Sequence, residues 1–177
     1  MKKWLGTICS FAASIFTFIF MAIPVWAVEG FGTKESFSGY ELISGEVETM
    51  GVKVNVFEDY GAWSRYRIFA IVLLVLAAIL AVYAVFMLLI NLNVLKIEGS
   101  WPSLINNILL TITLVVSVLA LTAVLSINGD MAKEMGIKVK DLKEAYDKIG
   151  TQVGIWLVAG VNAIACACGW LLGKESK

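Results

Sequence analysis

Four long apolar runs dominate the chain. They cover about residues 4–27, 68–90, 104–127 and 151–172, and none of them contains Asp, Glu, Lys, Arg or His. A helix rises about 1.5 Å per residue, so about 20 apolar residues are enough to cross the hydrocarbon core of a bilayer. The pattern predicts an all-α membrane protein, in which residues 1–177 form one polytopic domain built as a bundle of four transmembrane helices.

Two longer polar segments separate these runs, residues 28–67 and 128–150, and we expect both to be extracytoplasmic loops. In the first loop, the stretch VKVNVF at 52–57 alternates with a period of two, which is typical of a β-strand. Residues 37–43 are a second, weaker strand candidate. The pattern predicts a small β-hairpin or sheet in this loop. The alternative is a flexible polar loop.

A helical stripe of apolar residues follows in the segment at 128–150, which we call the third loop because it connects the third and fourth runs. Lys140 and Glu144 have the i,i+4 spacing of opposite charges that stabilises a helix, and so do Glu144 and Lys148. We expect the helix of the fourth run to begin near Lys138 and to stand about three turns above the membrane. Its stripe is covered either by the first-loop sheet or by a partner protein. The candidate interaction residues are Val139, Leu142, Tyr146, Ile149, Val153 and Trp156.

Small and polar residues within the runs favour close helix packing. Gly150 and Gly154 form a G-x-x-x-G pattern, and Asn162 lies near the middle of the fourth run. Serines and threonines recur along the third run. Such groups bond to a neighbouring helix or to carbonyls of their own helix. We interpret them as packing residues of the bundle. A homo-oligomer seam or a polar path is the alternative.

The tryptophans all lie near the predicted ends of the spans, where we expect them to anchor the protein at the membrane interface. They are Trp4, Trp26, Trp63, Trp101, Trp156 and Trp170. The helix from Trp4 to Trp26 would measure about 33 Å, close to the hydrocarbon thickness of about 30 Å. The stretch IPVWAVEG at 23–30 also fits a signal-peptidase site after Ala27. The length of the run and the spacing of the two tryptophans favour an uncleaved first helix.

The charges near the first run set the expected orientation. Lys2 and Lys3 favour a cytoplasmic N-terminus, and four spans return the C-terminus to the same side. The two outer loops carry nine basic residues against five inside, which opposes this orientation. We retain it because the first span usually dominates. The Met-Lys-Lys start and the absence of loop cysteines favour a bacterial inner (plasma) membrane.

Composition narrows the possible function. The chain is 59% hydrophobic and 16% charged, has zero net charge and contains no histidine. Its three cysteines lie inside apolar runs, so no disulfide framework is expected in the loops. No catalytic, nucleotide-binding or metal-ligand motif occurs, and no ionisable residue lies inside a run. We expect no enzymatic activity, no cofactor or metal, and no binding to nucleic acid.

The overall layout resembles that of the claudin-like tetraspan proteins. Those proteins have four helices, both termini inside, a large first outer loop with strands and a smaller second outer loop. Gly61-Ala62-Trp63 is similar to their Gly-Leu-Trp motif, whereas the cysteine pair that should follow it is absent. The resemblance therefore covers the layout alone, and a barrier or adhesion role is implied only by analogy.

These patterns predict a small integral membrane protein that acts through protein–protein interaction or assembly by its outer loops. Its expected partners are the lipid bilayer and either another protein or further copies of itself. The alternative is a pore-forming or accessory subunit of a transporter or channel.

Overall fold

The computed structural model describes residues 2–30, 33–49, 52–55, 61–97 and 99–173. Its helices are α1 (Lys2–Met21), α2 (Gly39–Ser44), α3 (Gly61–Asn91), α4 (Trp101–Glu134), α5 (Val139–Ala145) and α6 (Val153–Gly173). Its strands are β1 (Pro24–Gly30), β2 (Thr33–Ser38), β3 (Glu46–Thr49), β4 (Val52–Asn55) and β5 (Lys148–Thr151). Four helices, α1, α3, α4 and α6, are long and apolar enough to cross a membrane, which agrees with the four apolar runs.

The four long helices form a bundle in which each packs against two neighbours. Both α1 and α4 lie beside α3 and α6. The buried face of α3 recurs every three or four residues, the heptad spacing of helix bundles, through Ala70, Leu73, Ala77, Leu80, Ala84 and Met87. The outward faces carry large apolar side chains such as Val82, which is 72% exposed. The core of the bundle is therefore formed by one face of each helix.

The first helix is shorter than its apolar run. It ends at Met21, and residues 24–30 form β1 instead. Proline has no N–H and disfavours helical backbone in the residue before it, so the helix cannot run through Pro24. The predicted helix over 4–27 is therefore wrong beyond Met21. Trp26 lies on a strand and not one hydrocarbon thickness along a helix from Trp4.

Strand β1 is the centre of a three-stranded antiparallel sheet with the order β2-β1-β5. The hairpin of β1 and β2 belongs to the first loop, and β5 belongs to the third, with Val28 opposite Ile149. The sheet lies where the polypeptide leaves α1 and enters α6. We call this end of the bundle the sheet end, and the opposite end, where α1 begins and α6 ends, the terminal end.

The two predicted strands of the first loop have different outcomes. The prediction over 52–57 is confirmed for Val52–Asn55, which pairs with Glu46–Thr49, while residues 56 and 57 lie outside the described residues. Residues 39–43 are helical because Ser38 and Glu41 form a capping box that starts α2. In it, Glu41 N donates to Ser38 Oγ at 3.3 Å and Ser38 N donates to Glu41 Oε2 at 2.7 Å.

The helix predicted to start near Lys138 and to continue into the fourth span is interrupted. It begins at Val139 but ends at Ala145, after which the backbone is extended at Tyr146 and forms β5 before α6 begins. Pairing with β1 satisfies the backbone groups of this stretch in place of a helix, and tertiary contact overrides local propensity. Lys148 consequently pairs with Glu29 across the sheet at 3.6 Å and not with Glu144.

Candidate functional site

The sheet is held on the bundle by Trp26 in β1. The side chain is 3% exposed and stacks on Phe37 of β2, with ring centroids 5.7 Å apart. It meets Trp63 of α3 edge-on at 5.2 Å, and its Nε1 donates to Asn128 Oδ1 of α4 at 3.2 Å. The side chain of Trp26 thus connects the central strand β1 and its neighbour β2 to the helices α3 and α4.

Asn128 extends this connection to the third strand. Its Nδ2 donates to the Ile149 carbonyl of β5 at 3.3 Å, so one carboxamide bridges Trp26 and β5. The β5 edge of the sheet therefore faces α4. At the other edge, no further strand lies beside β2 among the residues that the structure describes. Among the described strands, β5 and β2 are therefore the two edges of the sheet, and β2 belongs to the first loop.

Helix α2 fixes the first loop to α1 and α3. A Cβ at Gly39 would lie 2.7 Å from Met21 Cε and 2.9 Å from Tyr66 Oη, so only glycine allows this approach. Tyr40 Oη donates to the Phe18 carbonyl at 3.0 Å. Partial burial raises the pKa of the Tyr40 phenol. The strands and α2 together form a platform over the helix ends.

An ion pair connects α3 and α4 at the sheet end, next to the part of α3 that contains no charged residue. Arg65 Nη2 donates to Asp130 Oδ2 at 2.6 Å and to Ser126 Oγ at 3.4 Å. Both charged side chains are partly exposed, so the pair contributes at most about 1 kcal/mol. Below it, residues 68–90 of α3 contain no charge.

The predicted interaction stripe is divided in the structure. Its members are the buried Leu142, the half-buried Tyr146 and Ile149, and the exposed Val139, Val153 and Trp156. Tyr146 packs on β1, where a Cβ at Gly30 would lie 2.8 Å from Tyr146 Cδ1. The stripe is not continuous because β5 breaks the helix, which leaves Val153 on the separate helix α6. Tyr146 lies against β1 and Ile149 belongs to the sheet, whereas helix α5, which carries Leu142, contacts α4.

Apolar residues are nevertheless exposed at the sheet end. Met135, Ile137 and Val139, at the connection from α4 to α5, are all exposed and stand between charged residues. An open depression of about 280 Å³ lies nearby and is lined by Lys143, Tyr146, Asp147, Lys148 and Ile149.

The two glycines predicted to pack helices have different positions. Gly154 begins α6 against the turn before β1, and a Cβ there would lie 2.6 Å from the Ile23 carbonyl oxygen and 2.7 Å from that of Pro24. Gly150 lies in β5, with a positive φ of 149° that favours glycine. The predicted helical G-x-x-x-G pattern is therefore wrong, although Gly154 does allow a close approach.

The six tryptophans form two groups. Trp26 and Trp63 are buried at the sheet end and are core residues. The exposed ones are Trp4, Trp101, Trp156 and Trp170. Trp170 Nε1 also donates to Thr111 Oγ1 of α4 at 2.9 Å, which ties α6 to α4. A membrane-anchoring role of these four stays a prediction.

Polar side chains outside the set of predicted site residues line the interior of the bundle. On α1 they recur at 3-4-3 spacing and are all buried: Thr7, Ser10, Ser14 and Thr17. Ser10 Oγ donates to Asn106 Oδ1 of α4 at 2.6 Å, and Asn91 Nδ2 of α3 donates to Thr7 Oγ1 at 3.0 Å. The heptad spacing of these hydroxyls was a signal in the sequence that could have identified this face.

Asn162 brings the fourth span into the same polar interior. Its side chain is 1% exposed, and its Nδ2 donates to Thr17 Oγ1 of α1 at 3.1 Å and to the Val158 carbonyl at 2.9 Å. The predicted packing role of Asn162 thus corresponds to a hydrogen bond between α1 and α6. On α4, Thr113 and Ser117 donate to carbonyls of their own helix.

Inside the bundle, the thiol of Cys9 on α1 interacts with the thiol of Cys168 on α6. All three cysteines are free, and within the described residues no group of His, Cys, Asp or Glu could hold a metal ion. No protein-family model matches the chain, and neither the curated proteins nor the solved structures contain a match. The geometry of the chain itself is therefore the basis for a functional proposal.

Proposed function

We propose that this chain is an integral membrane protein with four spans and that it acts by binding another protein through its sheet end. The apolar outward faces of α1, α3, α4 and α6 support membrane insertion, because water disfavours so large an apolar surface. With four spans, both termini lie on one side and the sheet on the other. Lys2 and Lys3 favour a cytoplasmic terminal end, in a plasma membrane that we propose to be bacterial.

The first helix belongs to the mature protein in this proposal. It packs between α3 and α6, and cleavage after Ala27 would also remove Val25 and Trp26, which are buried. We expect N-terminal sequencing of the protein purified from membranes to find residues that precede Val28. A chain that begins at Val28 would show that α1 is a signal peptide and that only three spans remain.

The observation that carries the binding proposal is that β2 is an edge strand among the described strands of the sheet and lies in the most acidic part of the chain. Residues 28–60 contain seven acidic residues and two lysines, although the whole chain is neutral. The edge of a sheet presents backbone N–H and C=O groups that a strand from a partner can pair. The excess of negative charge favours a basic partner. The occupant we infer is therefore an extended, lysine- or arginine-rich segment of another protein.

A synthetic peptide with the chemistry of the inferred segment tests this proposal. The protein is placed in nanodiscs, and binding of a fluorescent peptide of alternating Lys and Val is measured by anisotropy. We expect the wild type to bind it, and Glu35→Lys on β2 or higher salt to weaken binding several-fold. Glu144→Lys on α5 makes the same charge change away from β2 and should leave the affinity unchanged.

Two outcomes would refute the binding proposal. One is the absence of peptide binding to folded wild-type protein, with folding checked by circular dichroism. The other is an equal loss of affinity in Glu35→Lys and Glu144→Lys, because binding would then follow net charge and not the edge of β2.

A second candidate function is that of a pore-forming or accessory subunit of a transporter or channel. The observation that favours it is the buried row of hydroxyls on α1 that leads to Asn162. In the single bundle, large buried side chains such as Leu73 and Leu80 close this interior, so conduction would require an oligomer or a partner. Ion or dye flux through liposomes that changes with Asn162→Leu would favour this function. Folded protein without flux would eliminate the pore.

A further inference from the structure

A polar layer separates two apolar clusters inside the bundle. The cluster towards the sheet end includes Leu73 and Val158, and the cluster towards the terminal end includes Leu80 and Leu110. The buried positions between them, which we call the polar layer, are Ser14, Thr17, Ala77, Thr113, Ser117 and Asn162. Apart from Asn162, every side chain of this layer is small. The layer thus combines polarity with little side-chain volume in the middle of the bundle.

One atom of the polar layer has no hydrogen-bond partner. Asn162 Oδ1 is buried and accepts no hydrogen bond from the residues that the structure describes. Rotating the carboxamide by half a turn would not solve this, because the Val158 carbonyl is an acceptor and needs the Nδ2 donor that faces it. A buried acceptor without a donor is unfavourable, because it has lost its hydrogen bonds to water and gained none, so native proteins rarely leave one unpaired.

The hydroxyls of α4 in this layer have no proton to give to Asn162. A hydroxyl carries a single donor proton. Thr113 uses its proton on the Leu109 carbonyl at 2.8 Å, and Ser117 uses its own on the Leu114 carbonyl at 2.7 Å. Ser14 and Thr17 of α1 make no hydrogen bond to Asn162 Oδ1 either. The donor is therefore a molecule that enters the bundle, or one of these two hydroxyls after a change of rotamer.

We propose that the polar layer is a binding site for one buried water molecule, which donates a hydrogen bond to Asn162 Oδ1. Buried waters typically make about three hydrogen bonds to groups that otherwise lack partners. A water here donates its second proton to a hydroxyl oxygen of α1 and accepts a proton from the same helix. The site lies in the bundle interior and does not depend on the proposed binding function.

The stretching frequency of the Asn162 carboxamide carbonyl reports whether Oδ1 accepts a hydrogen bond. The seven asparagines are labelled with ¹³C at Cγ, and infrared spectra are recorded for the protein in nanodiscs. The Asn162 band is the one lost in Asn162→Leu, or in Asn162→Ser should the leucine variant fail to insert. We expect this band at the lowered frequency of a hydrogen-bonded carboxamide, measured against a primary amide in dry apolar solvent and in water.

Two variants of α1 distinguish water from a protein hydroxyl. Ser14→Ala and Thr17→Val each remove one of the two hydroxyls that could be the donor. A water that bonds to both hydroxyls keeps Asn162 Oδ1 and one hydroxyl as partners in each single variant, so with water as the donor the band stays at the lowered frequency in both. A rise to the free-carbonyl frequency in either variant identifies that hydroxyl as the donor and overturns the proposal. A band at the free-carbonyl frequency in the wild type overturns it as well, because Oδ1 would then be dry and unpaired.

Discussion

Replacement of Trp26 by alanine should destabilise the protein more than any change at an exposed tryptophan. The substitution empties a site that is 3% exposed and removes two ring contacts, with Phe37 and with Trp63. It also leaves Asn128 Oδ1 without its donor. Trp-to-Ala changes in cores cost about 3–5 kcal/mol, and the ring pairs and the hydrogen bond place Trp26 in the middle of that range, at about 4 kcal/mol.

A milder variant separates the ring contacts from the hydrogen bond. Trp26→Phe retains most of the aromatic packing and loses the Nε1 donor, so we expect a loss of about 1–2 kcal/mol. Trp156→Ala, at a position that is 51% exposed, is the matched control and should cost less than about 1 kcal/mol. The free energy of unfolding is measured in bicelles by denaturant titration for all four proteins.

Hydrogen exchange adds a local readout of the same role. Because Trp26 connects the sheet to α3 and α4, its loss should increase exchange in β1 and β5 more than in the centre of α3. The reasoning is refuted if Trp26→Ala and Trp156→Ala lower the free energy of unfolding equally, since Trp26 would then contribute no more than a surface residue.

The remaining predictions concern backbone contact and charge. Gly154→Ala should lower the free energy of unfolding by more than about 1 kcal/mol, because the added Cβ would lie 2.6 Å from a backbone oxygen. Gly160→Ala is the control, because no neighbouring atom lies within 4 Å of the added Cβ. It should leave the free energy of unfolding unchanged or raise it by up to about 1 kcal/mol. Equal effects in thermal unfolding would contradict this contrast. Arg65→Ala should cost at most about 1 kcal/mol and the loss should shrink in high salt, since the pair with Asp130 is partly exposed. A salt-independent loss of several kcal/mol would show that this pair is effectively buried.

The long helices could be predicted from the sequence because the signal for each is local. An uncharged run of apolar residues specifies a helix without reference to the rest of the chain, and the strand at Val52–Asn55 follows from its own alternation in the same way. A local signal for the end of α1 is also in the sequence, at Pro24. The spacing of Trp4 and Trp26 suggests a longer helix, but the backbone chemistry of proline decides where the helix ends.

Non-local contacts decided the remaining features. Residues 148–151 have the spacing of a helical stripe, and only pairing with β1, more than 100 residues earlier, makes them a strand. By residue type and position in the sequence, Trp26 and Trp63 are candidates for interface anchors. They are buried only because β1 packs against α3. The partners of Asn162 include Thr17 on α1, 145 positions away.

The chain alone therefore determined how many long helices form and which of their faces are apolar, since both depend on side-chain chemistry within a few turns. The tertiary structure alone decided which loop supplies the third strand, which polar groups meet inside the bundle and which described strand lies at the centre of the sheet. The physical reason is that backbone and side-chain hydrogen bonds must be satisfied wherever water is excluded. The partner that satisfies each one is set by the packing of distant segments, which no local pattern contains.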